Sequence, residues 1–151
     1  MKPLIVLLIA FVAVGITLKV FKGTFHLALT ARIAISIMLV FTSLGHFMFP
    51  DGMALMIPEF IPFKKELVYL TAIFEIAGAI GLHITPIRTL TAWFLILFFI
   101  LMLPANIKAS IEHLDYQSAT YTGPGLNYLF FRIPLQVVFI LWVYFSSVRN
   151  P

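Results

Sequence analysis

Five apolar runs, each about long enough to cross a bilayer, constrain this chain more than any other feature. A helix needs roughly 20 mostly apolar residues to span the hydrocarbon core. We therefore predict an all-α, polytopic membrane helical bundle with about five transmembrane helices. They run from Leu4 to Val20, His26 to Phe49, Leu67 to Ile84, Leu90 to Ile107 and Tyr128 to Val148.

The composition favours a chain that is dissolved in lipid. Of its 151 residues, 62% are hydrophobic and 11% are charged, whereas soluble domains have about 45–50% and about 25%. No cysteine is present, which excludes disulfides, thiolate metal sites and thiol redox chemistry within the chain. The net charge of +4 is spread over short loops and ends without a run of Lys and Arg, so we expect no nucleic-acid partner.

We expect one membrane domain over residues 1–151, with an additional N-terminal helix in residues 1–25 and a four-helix core in residues 26–148. The first segment has the positive start of a signal peptide, but no A-x-A-like cleavage site follows and Lys19 and Lys22 close it. We interpret it as an uncleaved helix. Three prolines between positions 50 and 66 prevent one regular helix there, which predicts an interfacial or re-entrant loop.

The orientation is weakly encoded, because Lys and Arg are divided almost evenly between the two sides. Short loops count most in the positive-inside rule, and the shortest loops carry Lys19, Lys22 and Arg88. We predict a multi-pass protein of the cell (inner) membrane. Its amino terminus is expected outside and its carboxyl terminus in the cytoplasm.

Polar residues inside the spans indicate where the chemistry lies, because a central charge costs roughly 2.5–3.5 kcal/mol or more. Glu75 is about half-way along the third span, on the order of 13 Å below the helix end near Glu66. Arg132 and Gln136 share one face of the fifth span, since they are four residues apart. Arg132 is long enough to reach towards Glu75 or up to the headgroups.

Helix alternation brings these side chains to the same half of the bundle as His46 and Asn106, at the ends of the second and fourth spans. This convergence allows a ligand-binding pocket or a structural ion pair between Glu75 and Arg132 that fixes helix register. Arg32 lies near the opposite surface, where it either snorkels to the headgroups or forms an inward ion pair. The four histidines are scattered, so we expect no metal site, and we assign no catalytic residue.

Several short motifs resemble the DoxX-like family of small bacterial integral membrane proteins. They are GHFMFP, MIPEFIP, the stretch that begins at Glu75, FFILMLPANIKAS and LFFRIPLQ. They extend from about Arg32 to Trp142, with Ile133 at a position where the family has leucine. The resemblance implies a four-helix bundle and partnership with an oxidoreductase.

Two functions stay open. The first is an accessory subunit without independent catalytic activity, which binds a quinone-like or lipid molecule through Glu75, Arg132, His46 and Gln136 and contacts the bilayer and a membrane or oxidoreductase partner. The second is a structural or assembly factor whose buried polar residues only fix helix packing. The sequence leaves the oligomeric state open.

Overall fold

The computed structural model describes residues 2–150; Met1, Pro151 and the side chain of Lys22 lie outside that description. The chain is all-helical. Within the described residues the extended pairing is limited to one isolated bridge between Asp115 and Thr120. Residues 2–150 form seven α-helices in this order: α1 Lys2–Lys22, α2 Leu27–Met48, α3 Pro50–Met56, α4 Lys64–Gly81, α5 Arg88–Leu101, α6 Leu103–Ile111 and α7 Leu126–Val143.

Four segments are long and apolar enough to cross a membrane, judged by length and composition. They are Lys2–Phe21, Leu27–Met48, Thr85–Ile111 and Leu126–Val148. The sequence predicted five. The remaining helix, α4, has 18 residues, but Lys64, Lys65, Glu66 and Glu75 lower its hydropathy.

Two of the long segments contain irregular turns that periodicity alone did not predict. The predicted fourth span is divided into α5 and α6, and Pro104 lies in the first turn of α6. A proline there supplies no backbone donor to the preceding turn, so the ladder of hydrogen bonds is interrupted. The last segment ends in a π-helical turn over Tyr144–Val148.

The prolines of the link between α2 and α4 act as expected. Pro50 begins the short helix α3, where a proline at the first position is favoured. The chain then continues without regular helix from Ile57 to Phe63. The segment folds back on the bundle, because the ammonium of Lys108 donates to the carbonyls of Leu55 and Ile57 at 2.8 and 3.3 Å.

The core lies along the shared faces of the long helices. α2 packs between α1 and α4 and buries Ala34, Ile35, Met38 and Leu39. Large apolar side chains also cover the outer surface; Phe94 is 62% exposed and Phe130 is 81% exposed. An outer surface of this kind suits lipid as the solvent.

The acidic residues outside the interior lie at one end of the bundle. Five of the six acidic residues lie where α2 and α6 end and α4 and α7 begin, which we call the acidic end: Asp51, Glu59, Glu66, Glu112 and Asp115. The opposite end, which we call the basic end, carries Lys19, Arg32, Arg88 and Arg149. Among the described residues no acidic side chain lies at the basic end, since the sixth acid, Glu75, is in the interior.

Candidate functional site

Glu75 is held deep in the bundle by the packing of α4 against α2. Only 6% of the Glu75 surface is exposed. The imidazole Nδ1 of His46 lies 3.4 Å from Glu75 Oε2. That nitrogen is also 2.9 Å from the carbonyl of Thr42, and because a carbonyl only accepts, the nitrogen must carry the proton and direct it there.

One oxygen of the Glu75 carboxyl is consequently left without a donor. Oε2 is buried and has no hydrogen-bond partner among the described residues, although His46 is near. The 3.4 Å separation is a close contact rather than a hydrogen bond, since the N–H of His46 points to Thr42. A buried acceptor without a donor costs about 1–3 kcal/mol, so such an oxygen requires an explanation.

Arg132 makes its polar contact with Asn106 rather than with Glu75. Its Nε donates to Asn106 Oδ1 at 3.1 Å, and Asn106 Nδ2 donates to the carbonyl of Met102 at 2.8 Å. The guanidinium carbon lies 6.0 Å from the centre of the Tyr128 ring. No carboxylate of residues 2–150 is within ion-pairing distance of Arg132.

The direct Glu75–Arg132 ion pair that the sequence suggested is therefore not formed. The spacing along α7 was correct, but Asn106 supplies an oxygen closer to the guanidinium than the carboxylate does. Arg132 still lies near enough for its charge to act on Glu75, and Thr42 also faces that carboxyl group. The polar residues thus form two adjacent pairs, His46 with Glu75 and Asn106 with Arg132.

Gln136 and Arg32 are used differently. The Gln136 Nε2 donates to the carbonyl of Phe99, across the contact between α7 and α5, at 2.5 Å. Arg32 lies at the basic end, away from the two pairs, and its Nη1 donates to the carbonyl of Asn150 at 3.3 Å. Its position agrees with the expected location near the opposite surface, and its charge meets a backbone carbonyl there.

The sequence did not predict the contacts of two residues, Thr42 and Lys108. Thr42 is one turn before His46 on α2, a spacing of four that could have indicated it. Lys108 is the second: its ammonium connects α6 to the carbonyls of Leu55 and Ile57 at the end of α3. A lysine at a helix end carries no signal in the sequence that distinguishes this role from that of a boundary charge.

We expect Lys108→Met to loosen α3 by about 1 kcal/mol, because two carbonyls at its end lose a charged donor. Hydrogen exchange of the amides in residues 50–63 in detergent measures this directly. Lys65→Met is the matched control: the Lys65–Asp51 pair is 2.5 Å long, but its side chains are 60% and 68% exposed, and such pairs contribute little. Equal exchange in both variants would contradict the role of Lys108.

Open grooves lie elsewhere on the surface. One is lined by Pro104, Ile107 and Lys108 on α6, and another by Leu8, Val12 and Ile16 on α1. Neither is lined by His46, Glu75 or Arg132. Within residues 2–150 no group of three or more His, Asp and Glu side chains is placed to hold a metal ion.

A family model described as a domain of unknown function (DUF8561) matches residues 35–147, from the middle of α2 to the end of the last helix. The chain belongs to this family. No curated protein and no solved structure matches the chain. The match begins within α2, so α1 lies outside it. The helix α1 nevertheless packs on the matched part: the ring of Phe11 lies edge-on against that of Trp142 in α7, with 5.2 Å between the ring centres.

The resemblance to the DoxX-like family is wrong. The matching model belongs to DUF8561, and no DoxX-like model matches. The motifs that suggested it are short, and most of their letters are the Leu, Ile, Phe, Gly and Pro residues common in membrane helices. The few polar residues in these motifs correspond to buried side chains of a small helical bundle. Unrelated families can share such a pattern.

Proposed function

We propose that this chain is a multi-pass membrane protein without catalytic activity of its own, which binds a quinone-like or lipid molecule beside Glu75. The observation that carries the proposal is the buried Oε2 of Glu75, which has no hydrogen-bond donor within residues 2–150. A head group with a hydroxyl would supply that donor. The oxidoreductase partner followed from the DoxX-like resemblance alone and is not carried forward.

Under this proposal α4 is a fifth span. Its charges at Lys64, Lys65 and Glu66 occupy the first turn, which would place them among headgroups. From Leu67 onward Glu75 is its single charge, and α4 packs along α2 over its length. Five spans put the amino terminus on one side of the membrane and the carboxyl terminus on the other.

We place the basic end in the cytoplasm and the amino terminus outside. The short loops at Lys19 and Arg88 support this orientation through the positive-inside rule. No acidic side chain of the described residues lies at the basic end, which supports this orientation as well, because the cytoplasmic leaflet is anionic. The pairs around Glu75 and Arg132 then lie between the membrane centre and the outer surface.

The two pairs provide complementary groups for one polar head. Glu75 Oε2 can accept from a hydroxyl, while the guanidinium of Arg132 has used only its Nε and has four further N–H donors for a carbonyl. A quinol, the reduced form of a quinone, has hydroxyl groups, and a glycerol-based lipid has hydroxyl and ester carbonyl groups; both carry an apolar tail. The tail would pass between helices into the surrounding lipid.

A structural function is the second candidate, and two hydrogen bonds favour it. The amides of Gln136 and Asn106 are each held by a backbone carbonyl, that of Phe99 and that of Met102. Side chains that are engaged in this way fix helix packing and offer little to a ligand. On this hypothesis Glu75 and His46 only set the register of α2 against α4.

Replacement of Glu75 separates the two candidates. We expect protein purified in mild detergent to retain an extractable quinone-like or lipid molecule, and Glu75→Gln to lower the retained amount about tenfold, as for one lost charged hydrogen bond. Mass spectrometry of organic extracts measures the amount. A decyl-substituted benzoquinol and a monoacylglycerol, added in turn as probes, should raise the melting temperature of the wild type but not of Glu75→Gln.

The matched control is Glu66→Gln, which makes the same change on the same helix at an exposed position. We expect this variant to behave as the wild type does. If Glu75→Gln and Glu66→Gln both retain the extracted molecule at the wild-type level, the binding function is overturned. If, in addition, Glu75→Gln melts at a lower temperature, the structural function replaces it.

A further inference from the structure

The basic end brings three cationic or titratable groups from different elements together. Arg32 comes from the second turn of α2, His83 from the turn after α4, and Arg88 from the start of α5. His83 Nε2 lies 3.0 Å from the hydroxyl of Ser36, one turn after Arg32. The Arg88 Nε donates to the carbonyl of Leu82 at 3.0 Å, which holds it beside His83.

These groups affect one another electrostatically. Burial, and then the charges of Arg32 and Arg88, hold the pKa of His83 below its usual range. Both arginines lie near this imidazole, Arg32 one turn before Ser36 and Arg88 through its hydrogen bond to Leu82. No acidic side chain of the described residues is at this end to offset them.

Arg32 also has donors that the protein leaves unused. Its Nη1 reaches the carbonyl of Asn150 at 3.3 Å, whereas its Nε is buried and has no hydrogen-bond partner among residues 2–150. Fixed donors of a guanidinium match phosphate oxygens in geometry as well as charge. Within residues 2–150 neither arginine has a carboxylate partner, and Arg32 has an unused N–H, so the two guanidinium groups suit an anion.

We propose that Arg32 and Arg88 form a site for the phosphate of an anionic membrane lipid at the basic end. A lipid is favoured over free phosphate because exposed apolar side chains surround the site: Leu27, Ile84 and Ile87 are 61%, 43% and 41% exposed. These would contact the acyl chains while the arginines hold the phosphate. Basic pockets between membrane helices bind anionic headgroups in this way.

Native mass spectrometry in detergent tests the site with phosphatidylglycerol as the probe and phosphatidylcholine as the comparison lipid. Both carry a phosphate and the same acyl chains, but only phosphatidylglycerol has a net negative charge. We expect phosphatidylglycerol to bind about tenfold more tightly to the wild type than to Arg32→Gln, as for one lost charged hydrogen bond. Phosphatidylcholine binding should change less than twofold.

Lys19→Gln is the control, because it removes one charge from an exposed position at the same end. If Lys19→Gln weakens phosphatidylglycerol binding as much as Arg32→Gln does, the end is only a diffuse basic surface and the site is overturned. Arg88→Gln is a second variant that keeps Arg32 in place, and its binding should also fall several-fold. Inorganic phosphate at equal concentration should not displace the lipid; if it does, a soluble anion is the ligand and the lipid is excluded.

The site is independent of the function proposed for Glu75, which lies in the interior of the bundle. Glu75→Gln should leave phosphatidylglycerol binding unchanged. Arg32→Gln, in turn, should leave the molecule retained beside Glu75 unchanged. A loss of both ligands in either variant, at an unchanged melting temperature, would contradict two separate sites.

Discussion

Gly52→Ala should destabilise the protein by about 3 kcal/mol, near the upper end of what overpacking usually costs. Gly52 is buried in α3, and a Cβ atom added there would overlap the backbone carbonyl group of Tyr116. Backbone cannot turn aside as the end of a flexible side chain can. The new methyl group must therefore push the segment 112–125 away from α3.

That segment is held together by hydrogen bonds of its own, so it would move as a unit. Asp115 and Thr120 exchange two backbone hydrogen bonds of 2.7 and 3.3 Å. The Asp115 carboxylate also accepts from the backbone N–H of Gln117 at 3.0 Å and from the hydroxyl of Ser118 at 2.8 Å. These bonds, that of Gln117 first, hold the pKa of Asp115 below its usual range.

Thermal unfolding in detergent, followed by circular dichroism, measures the cost of Gly52→Ala. Chymotrypsin, which cleaves after tyrosine, should cut at Tyr116 and Tyr121 sooner than in the wild type. Gly45→Ala is the control, because its added Cβ would meet only the methyl of Met53 at an ordinary 3.6 Å. Within α2 that change should be neutral or stabilise by up to about 1 kcal/mol. Equal stability of the two variants would refute the close contact at Gly52.

Apolar periodicity and proline positions predicted most of the helices, because both act locally. The predicted second span, His26 to Phe49, differs from α2 by one residue at each end. The division between α5 and α6 was missed, since one proline in an apolar run is compatible with either a bent or a broken helix. The close approach of α3 to the segment 112–125 depends on contacts between distant residues, which periodicity does not report.

The candidate site was likewise predicted only in part. Helix alternation predicted that His46, Glu75, Asn106, Arg132 and Gln136 converge. The structure brings His46 to Glu75 and Arg132 to Asn106, whereas Gln136 bonds to the carbonyl of Phe99. Their pairing could not be predicted, because it depends on helix rotation and on which oxygen lies closest to the guanidinium. The family assignment was wrong for a related reason. Short motifs with a few polar residues indicate a buried polar cluster, but they do not show common ancestry.

Asn106→Leu should cost about 2 kcal/mol, the second largest effect that we expect, as for a lost hydrogen bond to a charged group. Asn106 is only 4% exposed, and its Oδ1 is the acceptor for Arg132 Nε. Leucine has the same number and branching of side-chain heavy atoms, so the shape is kept while the guanidinium loses its acceptor. Asn127→Leu, at an exposed position in the first turn of α7, should change stability by less than about 0.5 kcal/mol.

A double-mutant cycle with Arg132→Met then isolates the pair. Once Arg132 is removed, Asn106→Leu no longer leaves a charge without an acceptor, so the second substitution should cost about 1–2 kcal/mol less than it does alone. Unfolding in detergent measures all four proteins under one condition. Strictly additive costs would mean that the 3.1 Å contact between Arg132 and Asn106 contributes nothing to stability. The guanidinium would then be free to hold Glu75 or a bound head group instead. The coupling energy between Arg132 and Asn106 therefore decides whether Arg132 serves the stability of the fold or remains available for a ligand.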